Sequence, residues 1–447
     1  MIDLVFKAPE LQRLKQALLD DKSRESAAIL LATPAARADG FRLLVKEIHL
    51  PAEGDYDCRT PTRVRLSPDF AIPLERRAKD RGWSLIYCHS HPMQDRPEFS
   101  SIDDDAERQL GPYMDYRSPG VPHASLLVGN TGFDARIMTS GEPIRVVEVG
   151  AELHFACNTG EAVLLEDQHN RQILAFGEEG QRRLHSLRVA IVGFGGTGSA
   201  IVYQLSRLGI DQYILVDWDV VDRTNLNRIY GATEGDINRP KIEVAERVIR
   251  EARASPSIVP IRADVTKRGV GRRLVDADLI FCCTDSHASR DQLNRIAYKY
   301  MIPVIDMGVV IQKNEGVPLF YGAQATMLAP GLPCLWCMDR LDAKRIRHEL
   351  MTPEQRQADP YFSNANAVKQ PAVISLTSTA ASLAVTMALS AVTGIPHRGR
   401  YVYYNGADSR MNPTQSSSKP NCPFCGAEAV GNGDYGDPLH EIDHESE

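Results

Sequence analysis

Along residues 1–150 short apolar runs alternate with turn-forming segments. Runs at 27–32, 41–45, 84–88 and 124–128 read as strands, bounded by stretches such as Ala38-Asp-Gly40 and Pro51-Ala-Glu-Gly54. Helices are predicted at 8–20 and 102–110, the second behind Ser100 and Ser101 as N-caps. Together these elements predict an α+β domain. The period is lost near Glu148 to Glu166, so a linker is expected over 151–165. From Leu187 the pattern becomes a βαβ series: a strand at 187–192, a glycine loop, a helix through Leu208 and a strand at 212–217. Further strands fit at 279–283, 304–307 and 401–404. They predict a second domain over 166–426 on a mostly parallel sheet, and an α/β chain overall. Residues 427–447 hold six acids from Asp434 onward and few apolar positions, the composition of a disordered acidic tail.

The uncharged stretch 372–393 is long enough to span a bilayer. Eight of its residues are Ser or Thr and the rest lean to Ala, which predicts a buried helix packed through small side chains and no membrane partner. A chain of 447 residues divides into two or three domains. Its net charge of −7 gives no pull toward nucleic acid or an anionic membrane. Four of the nine cysteines form two Cys-x-x-Cys pairs, and Met1-Ile-Asp-Leu-Val-Phe lacks the layout of an export signal. That combination favours metal over disulfides, in a reducing cytoplasm.

The first chemical constellation is Tyr87-Cys-His-Ser-His-Pro92, with eight residues between His91 and Ser100-Ser-Ile-Asp103. Side chains at i and i+2 of a strand share a face, so His89 and His91 can offer two imidazoles to one metal. Asp103, in the first turn of the next helix, adds a carboxylate. Three protein ligands and an open position suit a catalytic zinc, which lowers the pKa of its water toward ~7. Ser100 and Asp103 also make a good helix start without any metal. The set resembles the JAMM metalloproteases, whose signature is an upstream Glu, His-x-His-Pro and Ser-x-x-Asp. That resemblance implies Glu25 as general base, with Glu47 as the alternative, and Ser100 as oxyanion stabiliser. The activity implied is cleavage of peptide or isopeptide bonds after a ubiquitin-like C-terminus.

The second constellation is the loop Gly193, Gly195, Gly196 and Gly198, which follows a strand and opens a helix. Glycines permit the tight turn and the helix N-terminus attracts phosphate. Asp217 stands where an acid bonds a ribose hydroxyl. On these features alone NAD or FAD is the default, in an oxidoreductase. Asn225, Arg228 and Lys241 follow, and two cations beyond the loop suit a triphosphate better than hydride transfer. Asp285, at the carboxyl end of a strand, is placed to hold Mg²⁺.

Jointly these residues resemble the ThiF/MoeB-like adenylating enzymes, the family of the ubiquitin-activating enzymes, over about Asn170 to Gly426. The resemblance implies a Rossmann-like ATP-binding fold and a homodimer in which Arg171 reaches the partner's nucleotide. It also implies adenylation of the C-terminal glycine of a ubiquitin-like or sulfur-carrier protein, and a structural zinc on Cys334, Cys337, Cys422 and Cys425. Many activating enzymes carry an acceptor cysteine between the first zinc pair and the long helix, but residues 338–370 contain none. Two routes follow: adenylation alone, handing the acyl group to a conjugating-type partner or a sulfur donor, or an oxyester on a hydroxyl such as Ser363.

Overall fold

The computed structural model describes residues 1–157, 166–314, 317–358, 371–397, 399–436 and 438–443. It forms two compact units: residues 1–161 with 299–301 and 428–436, and residues 162–298 with 302–427 and 437–447.

The first unit opens with β1 (Asp3–Lys7), α1 (Glu10–Leu18), β2 (Ala27–Arg37) and β3 (Gly40–His49). A small hairpin of β4 (Tyr56–Thr60) and β5 (Arg63–Leu66) precedes α2 (Pro68–Arg81), β6 (Ser84–Ser90) and α3 (Ser101–Arg117). β7 (Ala124–Val128), β8 (Phe133–Ile137), β9 (Arg145–Val149) and β10 (Leu153–Cys157) complete it. Eight strands form one sheet in the order β10-β9-β1-β3-β2-β6-β7-β8. Leu11, Leu14 and Leu18 line one stripe of α1 and pack with Leu4, Phe6, Leu30, Ile86 and Leu126 on one sheet face. Ile29, Leu31 and Leu85 face the other way, against Ala78 of α2 and Met114 of α3. A strand covered on both faces reads as an unbroken apolar run, which is the pattern at 27–32. The expected linker is shorter than its composition suggests. Residues 153–157 pair antiparallel with β9, because Leu153 and Phe155 bury themselves at the sheet edge.

The second unit contains α4 (Asn170–Ser186), β11 (Arg188–Val192), α5 (Gly196–Arg207), β12 (Gln212–Val216), α6 (Lys241–Ala252) and β13 (Ser257–Ile261). These are followed by α7 (Val270–Arg273), β14 (Leu279–Cys282), α8 (His287–Lys299), β15 (Val304–Asn314) and β16 (Val317–Leu328). Last come α9 (Ala343–Leu350), α10 (Pro353–Ala358), α11 (Ile374–Thr393), β17 (Tyr401–Asn405) and β18 (Arg410–Pro413). The sheet order is β13-β12-β11-β14-β15-β16-β17-β18. The five neighbouring strands β13-β12-β11-β14-β15 run parallel, as expected of a mostly parallel sheet, and β16, β17 and β18 extend it by antiparallel pairings. The order β12-β11-β14 reverses direction at β11, and that switch point is where open sheets bind ligands.

α11 is long and apolar enough to cross a membrane by length and composition. In this fold it buries Thr377, Ala380, Ala381, Ala384, Val385 and Ala388, and its Ser378 and Ser382 bond Tyr230 and Gln204. The tail expected to be disordered is ordered over its described residues. In the first unit the Lys46 ammonium donates to the Val430 carbonyl at 2.6 Å and to Asn432 Oδ1 at 2.9 Å, over a buried Val430. In the second, the His440 amide donates to Gln292 Oε1 at 2.8 Å. Acidic composition concealed these few anchors.

Candidate functional site

In the first unit β6 carries His89, and His91 follows directly after its end. Its register places His89 opposite Ala27 of β2. Leu85 and Tyr87 lie on the face that packs toward α2 and α3, and His89 continues that alternation. Asp103 arrives from the first turn of α3, where Ser100 is the N-cap of a capping box. His89 Nε2 lies 3.0 Å from Asp103 Oδ1 and His91 Nε2 lies 3.7 Å from Asp103 Oδ2. The ligand atoms of all three residues fall within 4.8 Å of one another. A tetrahedral zinc with bonds near 2.0–2.1 Å sets its ligands about 3.3 Å apart, so the set fits that ion.

Glu25, just before β2, is buried, and its Oε1 is 3.8 Å from His91 Nε2. Burial pushes its carboxyl up to about 7, against the opposing pull of His89. Burial works against the Asp103 carboxylate as well, but bonds from His89 and Ser100 hold it below the usual range. Glu47, the alternative base, is elsewhere on the sheet. It pairs with Leu31 across the ladder, and its carboxylate bonds His49 at 2.9 Å and Arg77 at 2.5 Å. Register alone removes it. The Ser100 hydroxyl donates to Asp103 Oδ2 at 2.7 Å, so it braces the carboxylate in this state. Two supporting residues were missed by sequence reasoning. Gln94 Oε1 lies 3.4 Å from His91 Nδ1, and its position three residues after His91 was the only signal. Arg59, from the hairpin, donates to the Glu25 carbonyl at 3.1 Å and to Ser26 Oγ at 2.6 Å; no sequence signal connects residues so far apart.

In the second unit the glycine loop joins β11 to α5, with Gly195 as the helix N-cap. Gly193 has φ +94°, and a Cβ there would meet the Cys283 carbonyl oxygen at 2.9 Å. At Gly198 a Cβ would stand 1.9 Å from the Gly193 oxygen. Asp217 is buried just past β12 and accepts from the Phe194 amide at 2.5 Å and the Asp219 amide at 2.7 Å. Burial raises its pKa, with these amides acting in opposition. Asn225 is buried, and its Oδ1 accepts from the Asp222 amide at 3.2 Å. Arg228 donates to the Thr224 carbonyl at 2.7 Å, and Lys241 ion-pairs with Asp219. Both cations are therefore held locally by the loop after β12. Asp285 follows β14 and is exposed, as is Arg171 on α4. Ser363 lies outside the described residues.

The four thiols of Cys334, Cys337, Cys422 and Cys425 come together, as the family resemblance implies. Cys334 and Cys422 Sγ are 3.6 Å apart, and Cys337 and Cys425 Sγ are 3.5 Å apart. Tetrahedral zinc with 2.3 Å bonds spaces its sulfurs about 3.8 Å apart, so this cage also fits. Trp336 and Phe424, one from each Cys-x-x-Cys motif, stack with ring centroids 5.5 Å apart.

A family model for the ThiF family matches residues 169–424. The SAMP-activating enzyme E1 of Haloferax volcanii is 28% identical over 289 residues, covering 62% of this chain and 93% of that protein. The molybdopterin-synthase adenylyltransferase of Escherichia coli is 26% identical over 264 residues, covering 58% and 96%. The sulfur carrier protein ThiS adenylyltransferase of Bacillus subtilis is 30% identical over 190 residues, covering 40% and 52%.

Proposed function

The chain belongs to the ThiF family, and from that footing we propose that it adenylates the C-terminal glycine of a ubiquitin-like or sulfur-carrier protein with ATP. The carrying observation is the glycine loop at the switch point, tied through the Phe194 amide to Asp217 and bordered by the turn that bears Asp285. The carrier's carboxylate oxygen attacks the α-phosphorus of ATP; the bond to the bridging oxygen breaks, leaving an acyl-adenylate and pyrophosphate. The N-terminus of α5 receives phosphate, and Asp217 accepts from the ribose. Lys241 and Arg228 turn from their local partners to the β- and γ-phosphates, and Asp285 would hold Mg²⁺, which when bound offsets phosphate charge.

The four-cysteine cage would hold a structural zinc. A homodimer bringing Arg171 to the partner's nucleotide, and a conjugating-type protein or sulfur donor as acyl acceptor, belong to the same proposal. The relatives named for molybdopterin synthase and ThiS support the sulfur-transfer branch. Pyrophosphate exchange into ATP, dependent on the carrier and lost in Asp285→Ala, tests the reading. No exchange with any glycine-ended carrier, or full exchange by the variant, overturns it.

A second reading concerns the first unit alone. We propose that Glu25, His89, His91 and Asp103 form a zinc peptidase site that cleaves after a ubiquitin-like C-terminus. The observation favouring it is the convergence of two imidazoles and the Asp103 carboxylate within 4.8 Å, with Glu25 Oε1 3.8 Å from His91 Nε2. His89, His91 and Asp103 would hold the metal, which when bound supplies a Lewis acid and an activated water. Glu25 takes the water proton and passes it to the leaving amine. Ser100, held by Asp103, would offer its hydroxyl to the oxyanion. Cleavage of a carrier-protein fusion, compared with Glu25→Gln, tests this part; equal rates would sink it.

A further inference from the structure

Between Cys337 and α11 the chain builds α9, and α9 ends on the nucleotide edge of the second unit. Glu349, at its last turn, accepts from Ser286 Oγ and from the Ala288 amide, both at 2.7 Å on Oε2. Those donors lie at and just before the start of α8, where amides have no partner within the helix. Ser286 Oγ in turn accepts from the Ser289 amide at 3.2 Å, and the Ser286 amide donates to Thr284 Oγ1 at 3.2 Å. Asp285 sits in the middle of this bonded turn with its own side chain exposed. The same turn lies against the glycine loop, whose Gly193 approaches the Cys283 carbonyl and the Thr284 amide.

The other end of α9 is fixed as well. Asp342 caps it by accepting from the Lys344 amide at 2.8 Å, and the Asp342 amide donates to His287 Nδ1 at 3.2 Å. Ile346 is buried beneath it. Arg356 of α10 donates to the carbonyls of His348 and Glu349, both at 3.1 Å, closing the C-terminal end. α9 is thus clamped at both ends on the first turn of α8, with Glu349 as the contact nearest Asp285.

We propose that Glu349 is a positioning residue for the nucleotide site: by bonding Ser286 and Ala288 it fixes the β14–α8 turn and so the direction in which Asp285 presents its carboxylate to Mg²⁺ and ATP. This rests on the adenylation reading, in which Asp285 holds the metal. A carboxylate oxygen taking two donors can be replaced by the single carbonyl oxygen of Gln, but not by Ala.

The test is calorimetric titration of the full chain with ATP, with and without Mg²⁺, in wild type and in Glu349→Ala, Glu349→Gln and Ser286→Ala. Glu349→Ala should weaken Mg²⁺-dependent ATP binding about 10-fold, the usual scale for an outer partner of a metal ligand. Its affinity measured without Mg²⁺ should stay at the wild-type value. Glu349→Gln should restore the wild-type value, and Ser286→Ala should fall between. Equal affinity of wild type and Glu349→Ala overturns the proposal, as does a loss of the same size with and without Mg²⁺. A wild type that does not bind ATP overturns the adenylation reading instead, and this inference with it.

Discussion

The Phe194 amide donates to Asp217 Oδ2 at 2.5 Å, and the other carboxylate oxygen takes the Asp219 amide at 2.7 Å. The acid expected to hold a ribose therefore also ties the glycine loop to the loop after β12. Asp217→Asn keeps the shape but has one acceptor where two amides need one each. A buried amide left facing an N–H costs about 1–3 kcal/mol. The variant should unfold at lower temperature by differential scanning calorimetry and bind ATP more weakly. Unchanged ATP affinity with a lowered Tm would leave Asp217 a structural brace only.

The cysteine cage and the His-His-Asp cluster each fit one zinc. Purified chain should carry two zinc ions by elemental analysis, and Cys334→Ser should carry one. Because the cage joins segments more than 80 residues apart, its loss should lower the Tm. Cleavage of a carrier-protein fusion should persist in Cys334→Ser below its melting point. A cage with no zinc in the wild type would contradict this assignment.

How much of this was legible in the sequence varies by element. β2, β6, β7 and the β11–α5–β12 unit follow from apolar runs and the glycine loop, which are local signals. α2 is not announced, since Pro68 and Pro73 and a run of charges obscure its two buried positions, Glu75 and Ala78. β16, β17 and β18 turn the sheet antiparallel through pairings that only the fold brings about. That Glu25, and not Glu47, stands near the histidines is also a matter of register: Ala27 faces His89, while Glu47, inside β3, faces Leu31. Spacing was enough to group His89, His91 and Asp103, because the end of a strand and the first turn of a helix are short-range geometry. Arg59 and Glu349 act across loops, and nothing local encodes them.

Glu25 and His89 should separate in their effects. Glu25→Gln removes the proton acceptor while leaving His89, His91 and Asp103 in place. It should retain two zinc ions and lose cleavage by at least about 100-fold, the scale of a general base. His89→Ala should lose the metal as well as the activity. Elemental analysis and a fusion-cleavage assay on the same samples distinguish them. If Glu25→Gln also loses zinc, Glu25 is a ligand and the base must be sought elsewhere.

Asp3 gives the first unit a pH-dependent stability. It is fully buried, and Arg37 Nη1 lies 2.6 Å away, Arg145 Nε 2.8 Å and Arg42 Nη1 3.8 Å. Burial alone would raise its pKa, but Arg145, then Arg37 and Arg42, hold it well below the ordinary 3.8. The folded pKa is thus the lower one. The stabilisation is present above 3.8 and is lost as the pH falls toward the folded value. Asp3→Asn removes the carboxylate that three buried guanidinium groups share, at a cost of about 3–5 kcal/mol. Thermal unfolding should therefore show the full gap between wild type and Asp3→Asn at pH 7. The gap should narrow once the pH drops below 3.8. A gap that stays constant into acid would mean that packing around Asp3, not its charge, supplies the stability.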